Sequence, residues 1–121
     1  MRVLIADDQD FIRRCLRALL ADEPDIEVCA EAPDGDTAIR LVQMVLPDVV
    51  IMDISMPVLD GLQATLVIRE FFPDVRVVTV SQYELGELGE ALLSHSHVPK
   101  VAAVEQLVPA LRGLRLQADR V

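Results

Sequence analysis

The chain has 121 residues, 52% of them apolar and only 3% aromatic, so a core is available and aliphatic side chains must fill it. Eleven basic residues against twenty acidic ones leave a net charge of −9, which repels phosphate backbones and anionic lipid surfaces and argues against direct nucleic-acid or membrane binding. The two cysteines, Cys15 and Cys29, form no CxxC pair, which excludes a zinc ribbon or a disulfide scaffold and fits a reducing cytoplasm.

Taken in chain order, short β-branched runs alternate with helical patterns. Val3–Ala6 predicts a first strand, reached from Met1-Arg2 with no signal-peptide anatomy. Phe11, Ile12, Cys15, Leu16, Leu19 and Leu20 then form one apolar stripe of a helix, with Arg13, Arg14 and Arg17 facing out. Both cysteines are expected to be buried as small apolar residues. Ile26–Ala30 predicts the second strand, and Pro33-Asp34-Gly35 a turn into a second helix on Ala38, Ile39, Val42, Val45 and Leu46, ended by Pro47. Val49–Met52 predicts the third strand. Leu62, Leu66, Phe71 and Phe72 place a third helix that Pro73 closes, and Val75–Val80 follows as the fourth strand. Leu85, Leu88 and Leu92 mark a fourth helix that Gly86 and Gly89 weaken. Val98–Ala102 is a weak fifth strand, and Leu107, Leu111 and Leu114 mark a fifth helix that carries Pro109 early.

Continuous apolar runs suit strands buried on both faces, as in a parallel sheet. The βα alternation with short connections therefore predicts one α/β domain over residues 1–121, a three-layer sandwich with right-handed crossovers. In such sheets ligands bind beyond the carboxyl ends of the strands, at the topological switch point.

Asp7 and Asp8, Asp53 and Ser81 follow the first, third and fourth strands, and Lys100 sits within the last strand region. An Asp-Asp pair alone would more often be a helix cap, with Asp8 or Asp10 capping the first helix. As a convergent set the five have a chemistry. Crowded carboxylates repel one another, and a hard divalent cation such as Mg2+ relieves the repulsion. A carboxylate can also act as nucleophile toward a phosphoryl group, provided that cations and a hydroxyl donor neutralise the equatorial oxygens.

Asp7-Asp8, the string Asp53-Ile54-Ser55-Met56-Pro57-Val58-Leu59-Asp60-Gly61, Ser81 and Lys100 together resemble a bacterial response-regulator receiver domain, from Arg2 to about Leu114. Val98-Pro99-Lys100 and Pro33-Asp34-Gly35-Asp36-Thr37-Ala38 resemble the subfamily that carries a C-terminal helix-turn-helix output domain. The resemblance implies a flavodoxin-like α/β sandwich, with a five-stranded parallel sheet of order 2-1-3-4-5 and five helices. It implies that Asp53 is the phosphoacceptor, and that Asp8, Asp53 and the Ser55 carbonyl hold Mg2+ with help from Asp7. Lys100 would grip the phosphoryl group and Ser81 would be the switch hydroxyl. A sensor histidine kinase would be the phosphodonor, and a homodimer or an output domain, transcriptional in that subfamily, the reader of the signal.

The second half departs from the family pattern. Gln82 follows Ser81 where a small residue or Met is usual, and its amide would lean over the site and restrict access. His97 stands where a Tyr or Phe normally rotates as the switch residue, and the stretch from Ser81 to Lys100 is about two residues short. These departures favour a degenerate receiver that serves as a phosphorylation-independent scaffold, while the intact site favours a phosphoacceptor switch. A Mg2+-dependent phosphohydrolase is a further alternative, because Asp8-Gln9-Asp10 mimics the D-x-D of haloacid-dehalogenase-like phosphatases. Ile12 stands where that family has Thr or Val, which counts against it.

Overall fold

The computed structural model describes residues 1–54, 56, 59–81 and 96–119. Its elements are β1 (Arg2–Ala6), α1 (Asp10–Ala21), β2 (Glu27–Ala32), α2 (Gly35–Val45), β3 (Val49–Asp53), α3 (Gly61–Phe71), β4 (Arg76–Ser81), β5 (Ser96–Pro99), a 3-10 turn (Lys100–Ala102) and α4 (Ala103–Asp119). The strands pair in parallel in the order β2-β1-β3-β4-β5, which is the expected flavodoxin-like topology. Four of the five expected helices are among the described residues; the one placed on Leu85, Leu88 and Leu92 lies outside them.

The side-chain period of a strand is two, and it divides the core between the faces of the sheet. Val3 and Ile5 of β1, Val49 and Ile51 of β3, and Val78 and Val80 of β4 pack with Leu16 and Leu20 of α1 and with Leu107, Leu111 and Leu114 of α4. Leu4, Ala6, Val50, Met52 and Val77 pack on the other face, against Ala38 and Val42 of α2 and Ala64 and Ile68 of α3. Each such Leu or Ile, withdrawn fully from water, stabilises the fold by about 1.5–3 kcal/mol. Every residue of β3 is buried, whereas the edge strand β2 is mostly half-buried, so the pattern is apolar on both faces only in the sheet centre.

Helix ends follow their local chemistry. Asp34 and Asp60 cap α2 and α3, accepting hydrogen bonds from the backbone N–H groups of Thr37 (2.7 Å) and Gln63 (2.9 Å). Leu46 ends α2 in a left-handed conformation, φ 46°, ahead of Pro47, which cannot continue the helix.

Several expectations need correction. Helix α1 has Gln9, not Asp8 or Asp10, at its N-cap, with no side-chain cap. Cys15 is exposed, since it lies off the line of α1 that Leu16 and Leu20 occupy, and Cys29 is half-buried because it lies on the edge strand β2. Phe11 and Phe71 also lie outside the core, at 68% and 70% exposure. Strand β5 ends at Pro99, and Lys100 opens the 3-10 turn instead of lying within a strand. Pro109 stands inside α4, beyond its first turn.

Candidate functional site

The central strands β1 and β3 pair with Ala6 opposite Met52, so the residues at their carboxyl ends become neighbours. From β1 the chain leaves toward β2 on one side, and its return to β3 lies on the other. That reversal opens a crevice at this edge. Asp7 and Asp8 follow β1, and Asp53 ends β3. Asp53 lies opposite Val80 of β4, which brings Ser81 alongside, and Ser81 pairs with Pro99, which brings Lys100 to the same edge.

Asp7, Asp8 and Asp53 each present a carboxylate oxygen within 4.8 Å of the others. Asp7 and Asp53 are buried, at 1% and 3% exposure, as is Ser81, while Asp8 faces solvent. Lys100 Nζ bridges the two buried acids, 3.0 Å from Asp7 Oδ2 and 3.4 Å from Asp53 Oδ1. Burial favours the neutral amine, but the hydrogen bond to Asp7 and the charge of Asp53 outweigh it and hold the Lys100 ammonium above its ordinary pKa.

The backbone around these acids is fixed at several points. The Asp7 N–H donates to the Ala32 carbonyl (3.0 Å), and the Asp7 Oδ1 accepts from the Gln9 N–H (2.9 Å). The Ile54 N–H donates to the Val80 carbonyl (3.1 Å) and the Gly61 N–H to the Ile54 carbonyl (2.9 Å). Gly61 is required here because a Cβ on it would lie 1.9 Å from the Asp53 carbonyl oxygen. Gly35 plays a similar part across the crevice: its N–H donates to the Leu59 carbonyl (3.1 Å), and a Cβ would lie 2.2 Å from that oxygen.

The structure therefore brings Asp7, Asp8, Asp53, Ser81 and Lys100 together. Ser55 and Gln82 lie outside the described residues. His97 lies on β5 opposite Thr79, and its Nδ1 shares a 2.8 Å hydrogen bond with Thr79 Oγ1. Sequence reasoning missed two participants. Thr79 is fully buried, and only its strand register with His97 signals that bond. Arg13, expected to face out, has a side chain only 16% exposed and donates from Nη1 to the Asp7 carbonyl at 2.6 Å. Its place near the start of α1, within reach of the chain that leaves β1, was the available signal.

An acidic crevice at the switch point of a five-stranded parallel sheet, with a lysine bridging two buried aspartates, defines a class of phosphoryl-handling α/β domains. The response regulator receiver domain family matches residues 3–112, and the chain belongs to that family. It is a receiver domain of two-component signalling. The signal receiver domain of the response regulator NarL from Mycobacterium tuberculosis superposes with a TM-score of 0.85 at 26% identity, covering 93% of this chain and 94% of that one. The response regulator domain of Thermotoga maritima CheB superposes with a TM-score of 0.82 at 30% identity, covering 100% and 97%. The transcriptional regulatory protein LiaR of Bacillus subtilis is 49% identical over 41 residues, 34% of this chain and 19% of that protein. The stretches shared with curated relatives span only 11% to 19% of the relatives' length.

Proposed function

We propose that Asp53 accepts a phosphoryl group from a phosphohistidine of a sensor histidine kinase, within a single receiver domain formed by residues 1–121. The observation that carries this reading is the bridging of Asp7 and Asp53 by Lys100 within a cluster of three carboxylates. An Asp53 carboxylate oxygen attacks phosphorus, the new P–O bond forms, the P–N bond breaks, and its electron pair leaves with the imidazole. The Lys100 ammonium stands 3.4 Å from Asp53 Oδ1, placed to meet negative charge on the transferring oxygens. Ser81, buried at the end of β4, supplies the hydroxyl that follows the phosphoryl group once it is attached.

Three carboxylates within 4.8 Å, one of them open to solvent, are the donor set that a hard, partly hydrated cation takes. Asp8 and Asp53 would hold Mg2+ directly, with Asp7 helping, and Ser55 is proposed to contribute its carbonyl. When bound, the ion supplies positive charge against the phosphoryl oxygens. Asp7, tied to Lys100, holds the ammonium beside the acceptor.

The chain assists its own phosphorylation and is otherwise a switch, with no separate substrate. Among the described residues no helix is long and apolar enough to cross a membrane. The net charge of −9 argues against nucleic-acid binding by this segment's own surface, and the receiver family is the support for a cytoplasmic location. The similarity to LiaR and NarL supports a transcriptional output domain in the complete protein. The test is intact-mass measurement after incubation with a small phosphodonor and Mg2+. One phosphoryl group should add to the parent and none to Asp53→Asn; equal modification of both would place the acceptor elsewhere.

A further inference from the structure

Arg13 lies on the first turns of α1 and is not among the groups that meet the phosphoryl group, yet it is the most enclosed of the arginines on that helix. Its side chain is 16% exposed, against 62% for Arg14 and 50% for Arg17. The guanidinium reaches three places at once. Nη1 donates to the Asp7 carbonyl at 2.6 Å, Nη2 lies 3.2 Å from Asp10 Oδ1, and Nε lies 3.4 Å from Glu31 Oε1 on β2.

The Asp7 carbonyl belongs to the peptide that joins Asp7 to Asp8. A peptide unit is planar, so holding its oxygen fixes the direction in which the Asp8 backbone leaves. Asp7 is already anchored at its N–H by Ala32, at Oδ1 by Gln9 and at Oδ2 by Lys100. Asp8 is the exposed member of the cluster. We infer that Arg13 is a positioning residue for the cation site: it pins the Asp7–Asp8 peptide and so aims the Asp8 carboxylate at the point where the three acids converge. This rests on the reading of Asp7, Asp8 and Asp53 as a divalent-cation site.

The arrangement also explains why a positive charge is tolerated beside a cation site. Asp10 and Glu31 flank the guanidinium and offset its field, and its planar fork is suited to several acceptors at fixed angles. Two roles then predict opposite signs. If Arg13 acts only through its charge, removing it tightens cation binding by relieving repulsion. If it positions Asp8, removing it weakens binding.

The experiment is calorimetric titration of Mg2+ into the 121-residue chain and its variants. Arg13→Ala and Arg13→Met should each weaken Mg2+ about tenfold, in the range seen when groups that orient metal ligands are removed. Arg13→Met retains an apolar stem over α1 and guards against loss of folding. Arg13→Lys keeps the charge and one donor, and should recover part of the affinity. A purely structural role would lower the unfolding temperature while leaving the affinity of the folded protein unchanged. Affinities equal to or tighter than the parent's in both the Ala and Met variants would overturn the inference. Asp8→Asn is the control for the site itself: parent binding that Asp8→Asn does not weaken would overturn the cation site and Arg13's role with it. Parent binding lost in Asp8→Asn but kept in the Arg13 variants would overturn only the role of Arg13.

Discussion

Lys100 contacts two buried carboxylates that would otherwise face each other. Replacing it by Met leaves both acids without that cation and should cost about 3 kcal/mol at neutral pH, measured by urea unfolding. The pH profile carries a sign as well. The folded pKa of Lys100 is raised, so its stabilising contribution is complete below the unfolded value near 10.4 and is lost as pH rises through the higher folded value. Stability of the parent should fall in that alkaline window, and the fall should be smaller in Lys100→Met. Conversely, Asp53→Asn leaves Lys100 with Asp7 and relieves like-charge crowding. It should raise stability in the absence of divalent cations by about 1 kcal/mol while abolishing phosphorylation. A less stable Asp53→Asn would show that the acids are not in electrostatic conflict.

At the scale of elements, one glycine is required where a helix meets the sheet and one proline is a cost within a helix. Gly61 opens α3 against the end of β3, where a methyl group would overlap the Asp53 carbonyl at 1.9 Å. Backbone must move to admit it. Gly61→Ala should therefore lose about 3 kcal/mol and also displace Asp53, visible as amide shifts at the crevice in NMR spectra. The turn signal Asp60-Gly61 was legible in the sequence, but the reason for the glycine was not, because the obstructing atom lies eight positions away in the chain, at Asp53, and comes near only through folding. Pro109 shows the reverse. It is exposed inside α4, so its ring packs little while it removes one helical hydrogen bond. Pro109→Ala should raise stability by about 2 kcal/mol, read from thermal unfolding. An unchanged or lower transition temperature would mean that the helix is already adapted to the ring.

At the scale of the whole molecule, a switch requires that phosphorylation favour one of two conformations by enough free energy to shift a population. In the resembling family that bias uses the hydroxyl after the fourth strand and an aromatic side chain on the fifth. Here Ser81 stands at the end of β4, but His97 occupies the second place and is tied to Thr79 at 2.8 Å. The Nε2 of that ring is already buried, so any switching movement of the imidazole must break the bond to Thr79 and displace a ring that is packed in place. Beryllofluoride with Mg2+ should therefore perturb Asp53 and its neighbours in NMR spectra and change self-association little in sedimentation velocity. A clean conversion of monomer to dimer would refute weak coupling. Thr79→Val, which removes that hydrogen bond, should increase the response.

The sequence by itself determined the βα alternation, the both-faced burial of β1 and β3, and the set Asp7, Asp8, Asp53, Ser81 and Lys100. All of these are local matters, since each acid or hydroxyl directly follows an apolar run readable in the chain and the amine lies within the last one. Tertiary structure decided what periodicity does not encode. It set the edge position of β2, which leaves that strand half-buried, and the exposure of Phe11 and Cys15, which turn away from the sheet. It placed Lys100 on a turn, where its chain extends over two carboxylates from strands far away in sequence. It also turned Arg13 from a solvated helix face onto the Asp7 carbonyl, because a long side chain goes where unsatisfied acceptors lie, and the fold decides where those are.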